Sequence, residues 1–141
     1  EKPELIAAPV LLSTFKFQLQ CRMERIMSKV QYKQGDIIYL DFSPAIDTEM
    51  EGIHPAVIIS NDRYNRNTNY LMVAPITSGG TYFNGYVNLQ GYANIYGRVN
   101  ATQIHCYSRE RVRSLPMDKL RLEDFNKVKR QLSKVINDFC I

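Results

Sequence analysis

Short apolar runs separated by turn-forming residues recur along the chain from residue 36 onward. The segments 36–42, 55–60 and 70–76 are rich in β-branched and aromatic residues, and each is bounded by glycine, proline or asparagine, a composition typical of strands. Between the second and third segments, the polar stretch 61–69 predicts a turn or a short helix. The pattern therefore predicts a sheet that begins with three strands.

Glycine-containing turn pairs interrupt the middle of the chain, at Gly79-Gly80, Asn84-Gly85 and Gln90-Gly91. These pairs predict hairpins around two further short strands, 86–89 and 97–101. Segments 103–107 and 112–115 have the composition to complete the sheet.

The spacing of apolar residues changes near the C-terminus, where they recur every three or four positions, at Leu122, Phe125, Val128, Leu132, Val135, Ile136 and Phe139. This spacing predicts an amphipathic α-helix, with Asp118 as a nearby cap. The expected class is mainly β (α+β): a strongly bent antiparallel sheet or small β-barrel, with its edges covered by the helix or by a partner subunit.

The 141 residues are 45% hydrophobic, enough for one globular core but too few for two. Residues 1–26 lack the regular pattern and form an N-terminal extension, which places the expected domain over residues 27–141. No apolar run reaches the roughly 18 to 20 residues that span a bilayer, so we expect that this chain is not an integral membrane protein. The net charge of +4 permits a polyanionic partner without requiring one.

Three cysteines at wide spacing, Cys21, Cys106 and Cys140, predict neither a disulfide framework nor a zinc cluster and favour a cytoplasmic setting. Motifs for nucleotide hydrolysis, dinucleotide binding, zinc proteolysis and the α/β-hydrolase reaction are missing from the sequence. Arginines alternate with tyrosines between residues 63 and 113, a combination that suits either RNA binding or a solvated surface.

Two positions have the chemistry of a catalytic site. His54 begins an apolar strand after a polar loop, where an imidazole can act as an acid or base, although composition alone favours a histidine bound only to solvent or a backbone carbonyl. Thr77 and Ser78 follow another apolar strand, and their hydroxyls can bind a phosphate or simply form a turn.

Residues 35–44, followed by Glu49 and the segment 52–61, resemble the opening of the MazF/PemK (Kid) family of toxin endoribonucleases. That family reads G-D-[IL]-hydrophobic-D-F-x-P and then S-E-x-x-G-x-R-P-[AV]-[VL]-[VI]. Residues 74–78 resemble its strand-end threonine pattern, and Gln103-Ile104 followed by Arg111 resembles its downstream elements. The match runs in order over residues 33–141.

The resemblance implies a homodimer of SH3-like barrels that binds single-stranded RNA, or a cognate antitoxin protein, in grooves around the dimer interface. It also implies cleavage without metal or other cofactor, in which the ribose 2′-hydroxyl attacks phosphorus to leave a 2′,3′-cyclic phosphate and a 5′-hydroxyl. Its expected catalytic residues are His54, Thr77 and Glu49, with Glu49 orienting His54 or the substrate. The expected RNA contacts are Ser78, Gln103, Phe42 and Arg111.

One departure from the family pattern affects the chemistry directly: His54 occupies the position of the catalytic arginine in R-P-[AV]. A fixed cation is thereby replaced by an imidazole that titrates. Either His54 acts as general base or acid, or the chain binds RNA or antitoxin without cutting. A CcdB-like gyrase poison fits less well, because such toxins end in a Trp-Gly-Ile-like helix and this sequence contains no tryptophan.

Overall fold

A computed structural model of the chain describes residues 8–79 and 85–137. The chain divides into two compact units, Glu1–Val30 and Gln31–Ile141. In the first unit, helix α1 covers Ala8–Met27, a helix that the sequence pattern did not predict. Many of its apolar side chains are exposed, including Leu11, Phe15 and Phe17. Within the described ranges, no helix is both long and apolar enough to cross a membrane.

The second unit is built from short strands and a C-terminal helix. In chain order its elements are β1 Asp36–Asp41, β2 Ile53–Ile58, α2 Asp62–Asn67, β3 Tyr70–Thr77, β4 Tyr86–Leu89, β5 Gly97–Asn100, β6 His105–Ser108, β7 Asp118–Lys119 and α3 Leu122–Ile136. The strands pair antiparallel in the order β4-β5-β3-β2-β1-β7, with β6 also on β3. The predicted class, a bent antiparallel sheet with a C-terminal helix, is confirmed.

Strand β3 changes partners along its length and so bends the sheet. Residues 70–73 pair with β6, whereas Ile76 and Thr77 at its end pair with β5. Residues 73–75 also pair with β2. The end of β3 therefore lies where the β1-β2 hairpin and the β4-β5 hairpin meet.

The two faces of this sheet are covered differently. One face contributes Ile37, Val57 and Ile76 to a core that is completed by β4, β5 and α3, including Val128. Side chains alternate between faces along a strand, so Leu40, Ala56 and Val73 lie on the opposite face, where they too are fully buried. The exposure of this second face increases towards Thr77, at the end of β3.

Helix α3 is attached to the sheet by a polar cluster at its first turn. The Tyr92 hydroxyl donates to Asp124 Oδ2 at 2.6 Å and accepts from the Arg121 backbone N–H at 3.0 Å. Asp124 is buried and forms ion pairs with Arg121 at 3.4 Å and Lys127 at 3.6 Å. Burial, and then the bond to Asp124, raise the pKa of Tyr92.

Two predicted details are wrong. Segment 112–115 is not a strand: Val112 makes one isolated bridge to Leu40, because the chain has just left a 3-10 turn over Arg109–Arg111, and β7 pairs with β1 instead. Asp118 does not cap α3, since it lies in β7 and accepts from the Asn94 backbone N–H, while Arg121 occupies the N-cap position. Phe139 and residues 80–84 lie outside the described residues.

Candidate functional site

His54 lies near the start of β2, paired with Leu40 of β1 and partly buried. Its Nε2 is 2.6 Å from the carbonyl oxygen of Glu51. Because a carbonyl oxygen only accepts, this contact assigns the proton to Nε2. In the neutral ring, Nδ1 is then the nitrogen with a free lone pair, so the local fold selects which atom of His54 can act as a base.

Thr77 ends β3 at the same level of the sheet as His54. Ala56 pairs with Pro75, and continuing that antiparallel register by two residues reaches His54 on β2 and Thr77 on β3. The Thr77 Oγ1 accepts from the Gly79 N–H at 3.2 Å and lies 3.3 Å from the Gly79 carbonyl, a turn that ends the strand. The register therefore sets the two predicted catalytic side chains on one face, and Ser78 follows them, exposed.

A glycine permits the close approach of β5 to this strand end. Gly97 has φ +117°, and a Cβ placed on it would lie 2.5 Å from the Thr77 carbonyl oxygen and 3.3 Å from the Ser78 Cα. Both are backbone atoms and cannot rotate away. Any side chain at Gly97 would therefore displace the segment that carries Thr77.

Arg98 is the direct pairing partner of Thr77 and shares its face. Its Nη2 donates to the Gly79 carbonyl at 2.9 Å, and its guanidinium carbon lies 4.8 Å from the centre of the Tyr86 ring. The sequence showed Arg98 only as one of several arginines among tyrosines. Its place beside Thr77 depends on the strand register, which the sequence did not reveal.

Three rings, those of Phe42, His105 and Tyr107, form a cluster that Arg111 covers on one side. Phe42 meets His105 edge-on at 5.8 Å and Tyr107 at 5.9 Å, while His105 stacks on Tyr107 at 4.8 Å. The Arg111 guanidinium covers Tyr107 at 4.3 Å. Phe42 is fully buried and presents no surface to RNA, contrary to its predicted contact, because it continues the inward-facing series of Ile38 and Leu40.

Glu49 lies in the loop between β1 and β2, and Arg111 reaches this loop from the 3-10 turn Arg109–Arg111. Arg111 Nη1 donates to the carbonyls of Asp41 and Ser43, at 3.2 and 2.6 Å, and so holds the start of the loop. The Glu49 carboxylate accepts from the Ile46 N–H at 3.1 Å. The predicted orientation of His54 is thus provided by the carbonyl of Glu51, while the Glu49 carboxylate is bound within the loop.

Two further polar residues, Gln103 and His105, lie just before and at the start of β6, and His105 is on the same face of the sheet as Val73. His105 pairs with Val73, whereas Gln103 lies in the turn before β6, where its backbone N–H donates to the Asn100 carbonyl at 3.4 Å. Within the described chain, His105 Nε2 is buried without a hydrogen-bond partner. Burial lowers the pKa of His105, with Arg111 acting in the same direction and Glu49 opposing it.

Metal ligands are not grouped in the residues that the structure describes: no three His, Cys, Asp or Glu side chains there could hold an ion. The two described cysteines, Cys21 and Cys106, are free and exposed. The polar groups that the register does bring together are an imidazole, hydroxyls and a guanidinium. Such groups can move a proton and bind a phosphate.

Known structures share this fold. MazF from Deinococcus radiodurans has a TM-score of 0.72 at 23% identity, covering 77% of this chain and 99% of that one. A mycobacterial endoribonuclease solved with its cognate antitoxin has a TM-score of 0.64 at 18% identity, covering 78% and 99%. At these identities the likeness concerns the fold alone.

Sequence comparison leads to the same group. The endoribonuclease EndoA of Bacillus subtilis is 39% identical over 46 residues, which is 33% of this chain and 40% of that protein. The endoribonuclease toxin ChpB of Escherichia coli is 34% identical over 58 residues, 40% of this chain and 49% of that protein. The matched segments thus span less than half of each relative. The family model of PemK-like, MazF-like toxins matches residues 33–136, and the chain belongs to this family of type II toxin-antitoxin systems.

Proposed function

We propose that this protein is a toxin that cleaves single-stranded RNA at specific sequences, without a metal ion, and so inhibits translation. The observation that carries the proposal is the β2–β3 register, which on extension by two residues from Ala56 and Pro75 puts His54 opposite Thr77, together with the contact between His54 Nε2 and the Glu51 carbonyl. Family membership supports the same activity, since matched relatives are named endoribonucleases. A base and a phosphate-binding hydroxyl are two of the groups that such cleavage uses.

In the proposed reaction, His54 Nδ1 removes the proton of a ribose 2′-hydroxyl. The 2′ oxygen bonds to the adjacent phosphorus, the bond from phosphorus to the 5′ oxygen breaks, and that oxygen takes a proton from solvent. The products are a 2′,3′-cyclic phosphate and a 5′-hydroxyl, and His54 returns its proton to solvent. Thr77 binds the phosphate during this exchange, because its hydroxyl lies at the end of β3 on the same face.

Neighbouring residues position the RNA. Ser78 is exposed directly after Thr77, and Gln103 is partly exposed in the turn before β6; both are proposed to contact the RNA on either side of the cleaved bond. Arg111 and Glu49 act through the loop that carries Glu51, Arg111 by holding the Ser43 carbonyl. Phe42 has no proposed contact with RNA.

The proposed partners follow the family. Structural neighbours include complexes of MazF with MazE from Deinococcus radiodurans, which supports a cognate antitoxin for this chain. We also propose a homodimer, because Tyr39, Ile53 and Met72 expose apolar surface on the second unit. The proposed setting is the cytoplasm, where free exposed thiols such as Cys106 stay reduced.

The decisive experiment incubates the purified protein with a long single-stranded RNA in EDTA, beside His54→Ala and His54→Gln. We expect fragments with 5′-hydroxyl ends at a recurring short motif from the wild type, and no fragments from either variant. Lys134→Ala, an exposed position on α3, serves as the matched surface control and should cleave normally. Cleavage that survives in both His54 variants would refute the assignment of the base.

A binder that does not cut is the second candidate, favoured by the replacement of the family's arginine with His54. In that case RNA stays intact in the same assay but binds with a steep salt dependence, because phosphate contacts release counterions. His54→Arg separates the two functions. Restoring the fixed cation should activate a degenerate binder, whereas it should slow an enzyme that depends on imidazole as its base.

A further inference from the structure

The proposed cleavage leaves one requirement unmet by His54 and Thr77. The five-coordinate phosphorus that forms during attack carries extra negative charge, and a fixed cation stabilises it better than a neutral hydroxyl. Position 54, which carries arginine in the family pattern, has a histidine here. As a base, His54 starts the reaction neutral and gives no positive charge to the approaching phosphate.

Arg98 lies on the other side of Thr77 from His54. Thr77 pairs directly with Arg98 on β5, and extending the β2–β3 ladder by two residues from Ala56 and Pro75 puts His54 opposite Thr77. In that extended register, one cross-strand row contains all three. The next pair in the same row joins Arg98 to Asn88 of β4. Side chains paired across an antiparallel ladder share a face and lie about 5 Å apart at Cβ.

The guanidinium of Arg98 is held in place before any substrate arrives. Its Nη2 donates to the Gly79 carbonyl, two residues beyond Thr77, and its Cζ lies over the Tyr86 ring, 4.8 Å from the ring centre. These contacts fix the side chain at the turn that carries Thr77 and Ser78. A guanidinium presents its N–H donors in a planar fork that matches the oxygens of a phosphate, and it stays charged at any pH at which the protein is folded.

We infer that Arg98 is the fixed cation of the cleavage site, where its guanidinium binds the phosphate being attacked beside Thr77. It adds no proton transfer to the reaction: His54 takes the 2′ proton, the phosphorus–5′ oxygen bond breaks, and Arg98 remains charged throughout. The inference rests on the proposed ribonuclease function. It assigns the positive charge to the opposite side of Thr77 from the position that the family uses.

The test compares Arg98→Ala and Arg98→Lys with Arg63→Ala, an exposed arginine on α2 outside the site. Single-turnover cleavage of a long single-stranded RNA gives the rate, and thermal unfolding confirms that each variant is folded. We expect Arg98→Ala to slow cleavage by about 100-fold to 1000-fold, the usual loss of one charge-stabilising donor. Arg98→Lys should retain part of the rate, and Arg63→Ala should match the wild type.

A binding measurement separates this inference from the ribonuclease proposal itself. With a 2′-O-methyl RNA that no enzyme of this type can cut, Arg98→Ala should reduce the salt dependence of log affinity by about 0.7, one phosphate contact. A folded Arg98→Ala variant that cleaves and binds like Arg63→Ala overturns the inference and leaves the ribonuclease intact. If the wild type cleaves no RNA, an altered salt dependence still supports the phosphate contact, and an unaltered one overturns it.

The double variant Arg98→Ala with His54→Arg provides a positive control for charge. If Arg98 supplies the charge on one side of Thr77, an arginine on the other side should restore tighter binding to the 2′-O-methyl RNA. Binding that stays as weak as in Arg98→Ala alone would count against a shared phosphate at this row.

Discussion

Replacement of Gly97 by alanine tests the contact between β5 and the strand end that carries Thr77. At φ +117° an alanine is strained by about 1 to 3 kcal/mol. Its Cβ would also lie 2.5 Å from the Thr77 carbonyl oxygen, and relief of such crowding by backbone movement costs about 1 to 3 kcal/mol. Together the two effects predict a loss of about 2 to 6 kcal/mol in the free energy of unfolding.

Gly91→Ala separates strain from crowding. Gly91 also has a positive φ, +75°, but the nearest atom to its added Cβ is Arg121 Nη1 at 3.6 Å, an ordinary contact with a flexible side chain. Gly91→Ala should therefore lower the free energy of unfolding only by the cost of the backbone conformation, about 1 to 2 kcal/mol. The difference between the two variants measures the crowding at Thr77.

The assay is urea unfolding followed by tyrosine fluorescence, since the chain has nine tyrosines and no tryptophan. Cleavage is then compared at a temperature where both variants are folded. We expect Gly97→Ala to lose most activity, because Thr77 and Ser78 must shift, and Gly91→Ala to keep it. Equal losses of stability in the two variants, or full activity in Gly97→Ala, would refute the reasoning.

Further predictions concern the polar groups around the sheet. Tyr92→Phe removes the 2.6 Å bond to buried Asp124 and should cost about 1.5 to 3 kcal/mol in urea unfolding; an unchanged midpoint would contradict this. Burial lowers the pKa of His105, so the unfolded chain gains a proton first as pH falls and stability declines below about pH 6.5. His105→Phe should weaken that decline, and identical pH profiles for the unfolding midpoints would be contrary evidence. Arg111→Met frees the Ser43 carbonyl and should speed limited proteolysis in the following loop, whereas equal digestion rates would show that Arg111 does not hold it.

The local pattern of apolar and polar residues was sufficient to predict the buried strands and the amphipathic C-terminal helix. Strands β1, β2 and β3 combine β-branched residues with turn residues at their ends, and α3 follows a three-to-four spacing. The pattern failed for segment 112–115, where Val112 is buried as a strand residue would be but pairs only at one bridge. Propensity describes how a residue packs, while pairing depends on where the preceding turn directs the chain.

The candidate site was also predictable only in part: residue type and alternation could be read from the sequence, but strand pairing could not. His54 and Thr77 were indicated by residue type and position, the family resemblance implied their catalytic roles, and each lies near a strand end as the sequence indicated. Phe42 was misjudged although the signal was present, since alternation from Ile38 and Leu40 places it on an inward face. Arg98 was beyond reach because its neighbour is set by the pairing of β3 with β5, which residues distant in sequence determine together.

The row of His54, Thr77 and Arg98 also has a consequence for the time at which activity appears. Its three residues lie on β2, β3 and β5, so synthesis must proceed beyond residue 100 before the last of them can pair. A chain still being translated, or one whose β4-β5 hairpin has detached, would hold the proposed base but lack the proposed cation. If the proposed activity is correct, recovery of RNA cleavage after dilution from urea should follow the docking of this hairpin, and a cell that makes the protein should be exposed to cleavage only after each molecule has finished folding.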